Sequence, residues 1–220
     1  MSICRLCSEL KLNNPKDFWN VPLFESQNFV VLPSLGAIVE GWLLIVPKAH
    51  FICIGEMSDL LISEMTELKE KMCNILEENY GPVVLFEHGP NKVACQIGCG
   101  VDHAHLHIVP CAFDLAEVAK PFLPNEIEWS EANHQNCRVA FQKEEDYLYF
   151  EQPLGSGRIA TNQKFESQIF RKAIASEIGI PTMYNWRERQ HLDNIKTTIE
   201  KLQESISESY KCPNNLKIAA

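Results

Sequence analysis

Apolar residues along the first half of the chain fall into short runs that are typical of β-strands. The segments NFVVLPS and WLLIVP are rich in β-branched and aliphatic residues, and a turn between Gly36 and Gly41 separates them. The segments VVLFEH and HAHLHIVP have the same character further along, with a polar, glycine-containing loop between them. The pattern therefore predicts four strands in this half.

A longer segment between the second and third predicted strands has helical periodicity. Ser58 precedes it and Gly81 follows it, in the positions of a helix N-cap and a helix end. Its apolar residues are spaced by three and four and form one stripe: Leu61, Met65, Leu68, Met72 and Ile75. Strands with one long helix predict an α+β fold, in which a sheet carries the helix on one face.

The second half of the chain changes in character after Cys111. The segments CRVAF and DYLYFEQ are predicted to be a strand pair that extends the sheet. FESQIFRKAIASEIG is predicted to be an amphipathic helix, and Asn185 to cap a last helix. We therefore divide the chain into a core, 1–112, and an α/β C-terminal extension, 113–220, which is helical toward its end. Because no Gly/Ser-rich linker separates them, we expect the extension to pack on the core.

Composition and charge narrow the classes of function. The chain has 220 residues, of which 45% are hydrophobic and 22% charged, as in an ordinary globular protein. Its net charge of -9 argues against nucleic acid as the main partner. No apolar run reaches the roughly 18 residues that a membrane span requires, and no signal peptide is evident. These features predict a cytoplasmic protein without a membrane partner.

The chain contains nine cysteines, which is a high number without an export signal. In a reducing compartment, metal binding or plain burial is a more natural role for them than a disulfide framework. Most lie in mixed or apolar surroundings and are expected to be small buried side chains. Cys4 and Cys7 differ, because their C-x-x-C spacing is that of a metal knuckle.

Three of the seven histidines alternate with apolar residues in the segment VDHAHLHIVP. In a strand, His103, His105 and His107 would share one face, while Ala104, Leu106 and Ile108 would point into a core. Near neutral pH an imidazole can act as a nucleophile, a proton donor or a metal ligand. We therefore interpret the histidine face as a functional site.

The segment HAHLHIV resembles the signature of the histidine triad (HIT) family, and WLLIVPKAH resembles that family's strand ending in proline, a basic residue and histidine. The match covers roughly residues 1–112. The resemblance implies a short antiparallel sheet with a packed helix, usually paired across a two-fold axis as a homodimer. It also implies that the protein binds a nucleotide or nucleotide conjugate and cleaves or transfers at a phosphorus atom.

The resemblance also implies roles for the triad. His105, in the middle, would attack the α-phosphorus and form a nucleotidyl-histidine intermediate, and His107 would contact the phosphate oxygens or the bridging atom. Galactose-1-phosphate uridylyltransferase, which the FEHG and GCG segments also resemble, has glutamine in the third triad position. His107 therefore favours hydrolysis. Nucleotidyl transfer or phosphorolysis with an acceptor phosphate, and a non-catalytic nucleotide-binding module, stay open as alternatives.

The same transferase combines a cysteine knuckle with two histidines, which implies a structural zinc site here. Cys4, Cys7, His50 and His103 would form a Cys2His2 site without an open coordination position. Metal at His103 would then fix the strand and orient His105.

Further residues are candidates for substrate binding. Glu87 and His88 lie near the predicted nucleotide loop, and the glycine turn Gly98, Cys99 and Gly100 could offer backbone N–H groups to phosphate. A serine that often contacts phosphate in the family is matched by Gly100. In the extension, Gln168 and Arg171 lie within one helical turn of each other, and arginine suits phosphate. A solvated helix face is the alternative interpretation.

Overall fold

Eight strands form one sheet in the computed structural model, which describes residues 4–10, 17–95, 97, 101–125, 127–153 and 155–209. The strands are β1 Phe24–Glu25, β2 Phe29–Pro33, β3 Leu43–Pro47, β4 Val83–Gly89, β5 Leu106–Pro110, β6 Ser130–Ala132, β7 Tyr147–Glu151 and β8 Gly157–Thr161. Their order is β1-β2-β3-β5-β4-β7-β8-β6, and each neighbouring pair is antiparallel.

Helices cover both faces of this sheet. They are α1 Arg5–Leu10, α2 Asp59–Tyr80, α3 Leu115–Ala119, α4 His134–Gln142, α5 Ile169–Glu177 and α6 Leu192–Ser209. Short 3-10 helices lie at Phe18–Asn20, Ile54–Glu56, Lys120–Phe122 and Pro181–Met183. The predicted α+β class, an antiparallel sheet with a packed helix and an extension of helices and strands, is confirmed. Among the described residues, no helix combines the length and apolar character that crossing a membrane requires.

The predicted long helix is α2, and both of its predicted ends are confirmed. The Ser58 hydroxyl accepts a hydrogen bond from the backbone N–H of Leu61, and Gly81 ends the helix with φ of 85°. Met65 and Met72 of the apolar stripe are buried against β3 and β5. Helix α2 therefore closes one face of the sheet, which we call the α2 face.

Strand alternation sends neighbouring residues of β4 to opposite faces. Leu85 packs on the α2 face, whereas Phe86 pairs with His107 of β5 and packs on the other side. We call this other side the histidine face. Helices α1, α3 and α5 lie on it.

The extension continues the sheet of the core instead of forming a separate layer. Strand β7 pairs with β4 from Leu85↔Glu151 to Gly89↔Tyr147. Phe150 of β7 and Phe170 of α5 share one buried cluster with Trp42 of the core. The extension thus packs on the core through both hydrogen bonds and apolar contacts. The boundary at residue 112 stays a prediction.

Two predicted elements of the extension are wrong. CRVAF lies in helix α4 and not in a strand, because Asn133 and Asn136 form a capping box that starts the helix. Cys137 and Ala140 are buried one helical turn apart, whereas Val139 is 46% exposed. The partner of β7 is β8. The last helix begins at Leu192, so Asn185 does not cap it.

Candidate active site and metal centre

A cavity opens on the histidine face between α1, the β2–β3 end of the sheet and the extension. Apolar side chains of Leu6, Leu32, Leu44 and Val101 contribute to its wall. Leu32 and Leu44 are there because the register aligns Leu32 with Leu44 and Leu44 with His107 across three strands. One row of the pleated sheet therefore joins an apolar wall to a triad histidine.

The polar lining of the cavity includes His105, His107 and Arg171. Trp19 and Trp186 add aromatic walls, and Arg5 reaches the cavity from α1. Two of the three triad histidines thus meet a side chain from the extension at one cavity. An apolar enclosure with a few convergent polar groups is typical of a small-molecule site.

His105 is held in one tautomer by the backbone of the triad itself. Its Nδ1 lies 2.7 Å from the carbonyl oxygen of His103, and because a carbonyl can only accept, Nδ1 carries the hydrogen. Nε2 therefore has the free lone pair. Burial and the positive charge of Arg171 lower the pKa of His105, although the bond to His103 opposes them. The neutral imidazole required of a nucleophile is the favoured form.

His107 is held in the opposite tautomer. The indole N–H of Trp42 donates to its Nδ1 at 2.9 Å, so Nε2 carries the hydrogen of the neutral ring. Phe86 stacks on the ring with a centroid distance of 4.4 Å. Burial, followed by the repulsion that a charged His107 ring would meet from His105, His88 and Arg171, holds its pKa well below the usual value. His107 can thus donate one hydrogen bond from Nε2 to a ligand.

The triad is only partly in the strand that the alternation predicts. Strand β5 begins at Leu106, so His107 is a strand residue, whereas His103 and His105 precede it. The backbone N–H of Ala104 bonds to Phe51 and not to β3. Ala104 and Leu106 nevertheless point into the buried cluster of the α2 face.

His103 belongs to a cluster with three distant side chains. Its Nδ1 lies 3.4 Å from the Sγ atoms of both Cys4 and Cys7, and Nδ1 of His50 lies 3.3 Å from Sγ of Cys7. The four ligand atoms all lie within 4.8 Å of one another. Nε2 of His103 donates to the carbonyl of Pro47 at 2.8 Å, which directs Nδ1 at the sulfurs. The structure therefore brings together the four predicted metal ligands.

The donor set and its spacing fit zinc. Zinc bonds of about 2.3 Å to sulfur and about 2.0 Å to nitrogen place neighbouring ligands about 3.5 Å apart at a tetrahedral angle. The sulfur–nitrogen distances of 3.3 and 3.4 Å agree with this value. With four protein ligands, such a site would be structural.

Arg171 reaches the cavity from the first turn of α5. It is 2% exposed, although a helix face in solvent was the simpler expectation. Its Nε donates to the carbonyl of Tyr184 at 3.0 Å, a terminal nitrogen donates to the carbonyl of Gly36, and its guanidinium lies 4.6 Å above the Trp42 ring. These contacts fix a buried positive charge beside the two histidines.

His88 and Gln168 lie close to this region but outside the cavity lining. Nε2 of His88 accepts the backbone N–H of Phe170 at 3.3 Å, and the His88 ring is 6.4 Å from that of His107. Burial lowers the pKa of His88 to about 3. Gln168 precedes α5 with φ of 61°, and its side chain donates to Asn185 at 3.4 Å. Both residues hold the start of α5, the helix that carries Arg171.

Glu87 is not brought together with the triad, because it points to the α2 face. One of its oxygens accepts the backbone N–H of Ile54 and the other accepts the Tyr147 hydroxyl. Burial raises the pKa of Glu87 to about 8, against these two hydrogen bonds. Gly98, Cys99 and Gly100 lie outside the described residues.

Several residues at the site were missed in the sequence, among them Trp42 and Arg5. Trp42 fixes the tautomer of His107, and Arg5 reaches the cavity from between the knuckle cysteines. A signal for Trp42 was available, since it precedes Leu44 by two and must share its face. No local pattern identifies Arg5.

Comparison with known proteins gives distant similarities. No family model matches the chain. The protein named hit from Bacillus subtilis (strain 168) is 22% identical over 94 residues, which are 43% of this chain and 63% of that protein. The match thus spans less than two thirds of the length of this curated relative.

Solved structures with a similar fold include histidine triad proteins. One is a hypothetical histidine triad nucleotide-binding protein from Sulfolobus tokodaii strain7, with 17% identity, coverage of 64% of this chain and 88% of that chain, and a TM-score of 0.41. Another is a zinc-bound histidine triad family protein from Mycobacterium smegmatis, with 19% identity, coverage of 64% and 94%, and a TM-score of 0.39. The chain is thus similar to histidine triad proteins.

Proposed function

We propose that the protein is a HIT-type nucleotide hydrolase that cleaves at the α-phosphorus of a nucleoside phosphate conjugate. The observation that carries the proposal is the pair of opposite tautomers in one cavity. Nε2 of His105 has a lone pair, and Nε2 of His107 has a hydrogen. One imidazole can therefore attack phosphorus while the other donates to a phosphate oxygen or to the leaving group.

The reaction proceeds in two displacements. In the first, Nε2 of His105 forms a bond to the α-phosphorus and the bond from phosphorus to the leaving group breaks; the leaving group accepts a hydrogen bond from Nε2 of neutral His107 and takes its proton from solvent. In the second, a water oxygen attacks the phosphorus and the bond to His105 breaks. The water's second proton passes to the histidine pair or to solvent, and the product is a nucleoside monophosphate.

Charge and orientation come from the surroundings of the pair. The buried guanidinium of Arg171 favours the negative charge that develops on the phosphate oxygens. Apolar side chains such as Leu32 and Leu44 suit the base and ribose. Zinc, bound by Cys4, Cys7, His50 and His103, would supply structural rigidity and no reaction step. Since the carbonyl of His103 accepts from His105, a fixed His103 also orients the nucleophile.

The test is a search for the covalent intermediate by mass spectrometry. The protein is mixed with a panel of nucleotide conjugates, quenched in mild base, and digested. We expect a nucleotidyl mass on the peptide that contains His105 and none in His105→Ala. Turnover of a conjugate by His105→Ala at the wild-type rate would overturn the assignment. Faster decay of the adduct with added phosphate than with water would show nucleotidyl transfer to phosphate instead of hydrolysis.

We also propose a homodimer in the cytoplasm, although the sheet restricts how the dimer can form. The two edge strands, β1 and β6, have two and three residues. Edges this short offer little backbone for pairing, so helical surfaces would have to form the interface. Sedimentation equilibrium tests the oligomeric state, and a single species at the mass of one chain, 25.1 kDa, would contradict the dimer.

A further inference from the structure

Helix α1 lies between the metal cluster and the cavity. Its first turn includes Cys7, and Cys4 directly precedes it, so both thiols reach His103 at 3.4 Å. The two residues between these cysteines, Arg5 and Leu6, line the cavity with His105 and His107. One short stretch of backbone thus presents metal ligands on one side and a cavity wall on the other.

Leu6 covers the apolar end of the cavity. It is 8% exposed and packs in one buried cluster with Val30, Leu32 and Val46 on the histidine face. Leu32 also lines the cavity. Leu6 is therefore the part of the wall that lies opposite the sheet.

Arg5 extends this wall toward the extension. Its Nε donates to Glu9 at 2.7 Å, and its guanidinium lies 5.5 Å from the centre of the Trp186 ring. Trp186 itself lines the cavity. The first turn of α1 thus meets the extension where the cavity opens.

Helix α1 has only six residues. A helix this short is unstable by itself, because so few hydrogen bonds do not offset the cost of nucleation. Two anchors must therefore hold it in position. One is the packing of Leu6, and the other is the cluster that Cys4 and Cys7 form with His50 and His103. Removing the metal removes the second anchor.

We propose that metal occupancy sets the affinity of the cavity for nucleotide, because the metal holds Arg5 and Leu6 in the cavity wall. The ligand is a nucleoside monophosphate or conjugate whose base and ribose contact Leu6, with the phosphate at His105 and Arg171. This inference rests on the proposed function for the identity of the ligand. It adds that the metal knuckle is part of the substrate site.

The test is a cycle of calorimetric AMP titrations with metal and side chains varied together. AMP binding is measured for zinc-loaded and chelator-stripped protein, in the wild type, in the double variant Arg5→Ala/Leu6→Ala, and in Ser8→Ala. Ser8 is an exposed residue of the same helix and serves as the matched control. Zinc content and circular dichroism are recorded for each sample.

We expect stripping to weaken AMP binding about tenfold or more in the wild type and in Ser8→Ala, as the loss of one buried apolar contact would. The double variant should bind zinc fully and bind AMP about tenfold more weakly, and stripping should then change its affinity less than about threefold. If stripped protein unfolds, the zinc-loaded comparison decides, and wild-type affinity in the double variant overturns the inference.

The remaining outcomes separate this inference from the proposed function. AMP affinity that responds neither to zinc nor to the double substitution would overturn the inference alone. Zinc-loaded wild type that binds no AMP and forms no adduct on His105 would overturn both. An adduct on His105 with unchanged affinity in the double variant would leave the hydrolase proposal standing without the metal coupling.

Discussion

Glu87 and His88 are neighbours in β4, yet they face opposite sides of the sheet and differ in their surroundings. Burial raises the pKa of Glu87 to about 8 and lowers that of His88 to about 3, since burial favours the neutral form of each group. On the α2 face, Glu87 is enclosed by Tyr147 and the backbone of Ile54. On the histidine face, His88 lies beside His107 and below α5.

This difference shows that strand alternation, more than proximity in the sequence, decides which side chains can contact a ligand. The histidine face has a cavity, a buried arginine and two imidazoles in opposite tautomers. At Glu87, the α2 face has a carboxyl whose two oxygens are both occupied by the protein. We therefore expect substitutions on the histidine face to change activity and those at Glu87 to change stability.

The largest effect expected is on the rate of turnover. His105→Ala should lower kcat for a cleaved conjugate at least about 1000-fold, because among the described residues that line the cavity no other imidazole offers a lone pair to the ligand. Glu87→Gln, one residue from His88 but on the other face, should change kcat less than about threefold. Steady-state kinetics checks both. A Glu87→Gln loss as large as that of His105→Ala would break the contrast between the faces.

Metal removal should lower the free energy of unfolding of the protein. Cys7→Ser removes a predicted ligand and should cost about 4 kcal/mol, since loss of a metal is among the largest single effects on stability. For a chain of this length that corresponds to a fall in Tm of roughly 8–16 °C. Calorimetry with elemental analysis checks this. Cys73→Ser, on α2 and remote from the cluster, is the control and should keep its zinc.

Two glycines with similar backbone conformations differ in their contacts with the extension. Alanine at each position therefore separates the cost of backbone strain from the cost of disturbing those contacts. Gly36 has φ of 80°, and a Cβ there would meet Trp186 at 2.5 Å and Arg171 at 2.8 Å. Gly81 has φ of 85°, and a Cβ there would meet no atom of the described residues within 4 Å. Gly36→Ala should cost about 2–4 kcal/mol through strain and overpacking, and Gly81→Ala about 1–2 kcal/mol through strain alone.

The same pair should differ in nucleotide binding. Gly36→Ala displaces two side chains that line the cavity and should weaken AMP binding, whereas Gly81→Ala should not. Urea unfolding and AMP titration measure the two effects. Equal AMP affinity in both variants would show that the extension does not shape the cavity.

The sequence predicted the core of the fold well because its elements are long or strongly patterned. Helix α2 has an apolar stripe over about four turns and a capping serine, and β2 to β5 are apolar runs bounded by turns. CRVAF failed because five residues fit both a strand and a helix, and the deciding signal was the capping box before it. The short strand β8 offered little pattern.

In the candidate site, too, some residues could be predicted from the sequence and others could not. His105 and His107 follow from alternation and from the family signature, and the four metal ligands follow from the resemblance and lie together in the structure. For Arg171, a phosphate contact and a solvated helix face both stayed open, because burial of a helix face depends on what packs over it. Glu87 was grouped with His88 because both lie in one motif, although alternation along the predicted strand VVLFEH already places the two side chains on opposite faces.

A further expected effect is a pH dependence of stability that belongs to Glu87. Below pH 4.5, its ordinary pKa, the carboxyl is protonated in both the folded and the unfolded chain. As the pH rises toward about 8, the unfolded chain releases this proton while the folded chain keeps it. The free energy of unfolding of the wild type, relative to Glu87→Gln, should therefore fall as the pH rises, with a slope of at most about 1.4 kcal/mol per pH unit.

Urea unfolding of the two proteins at pH 5, 6, 7 and 8 measures this difference, and all other titrating groups cancel in it. Glutamine keeps a carbonyl oxygen for the N–H of Ile54, so the substitution changes the ionisation and little of the packing. Parallel stability curves would mean that Glu87 is ionised at neutral pH within the fold. Glu87 would then be a buried negative charge, and the contrast between a neutral carboxyl at Glu87 and a buried cation on the histidine face would have to be abandoned.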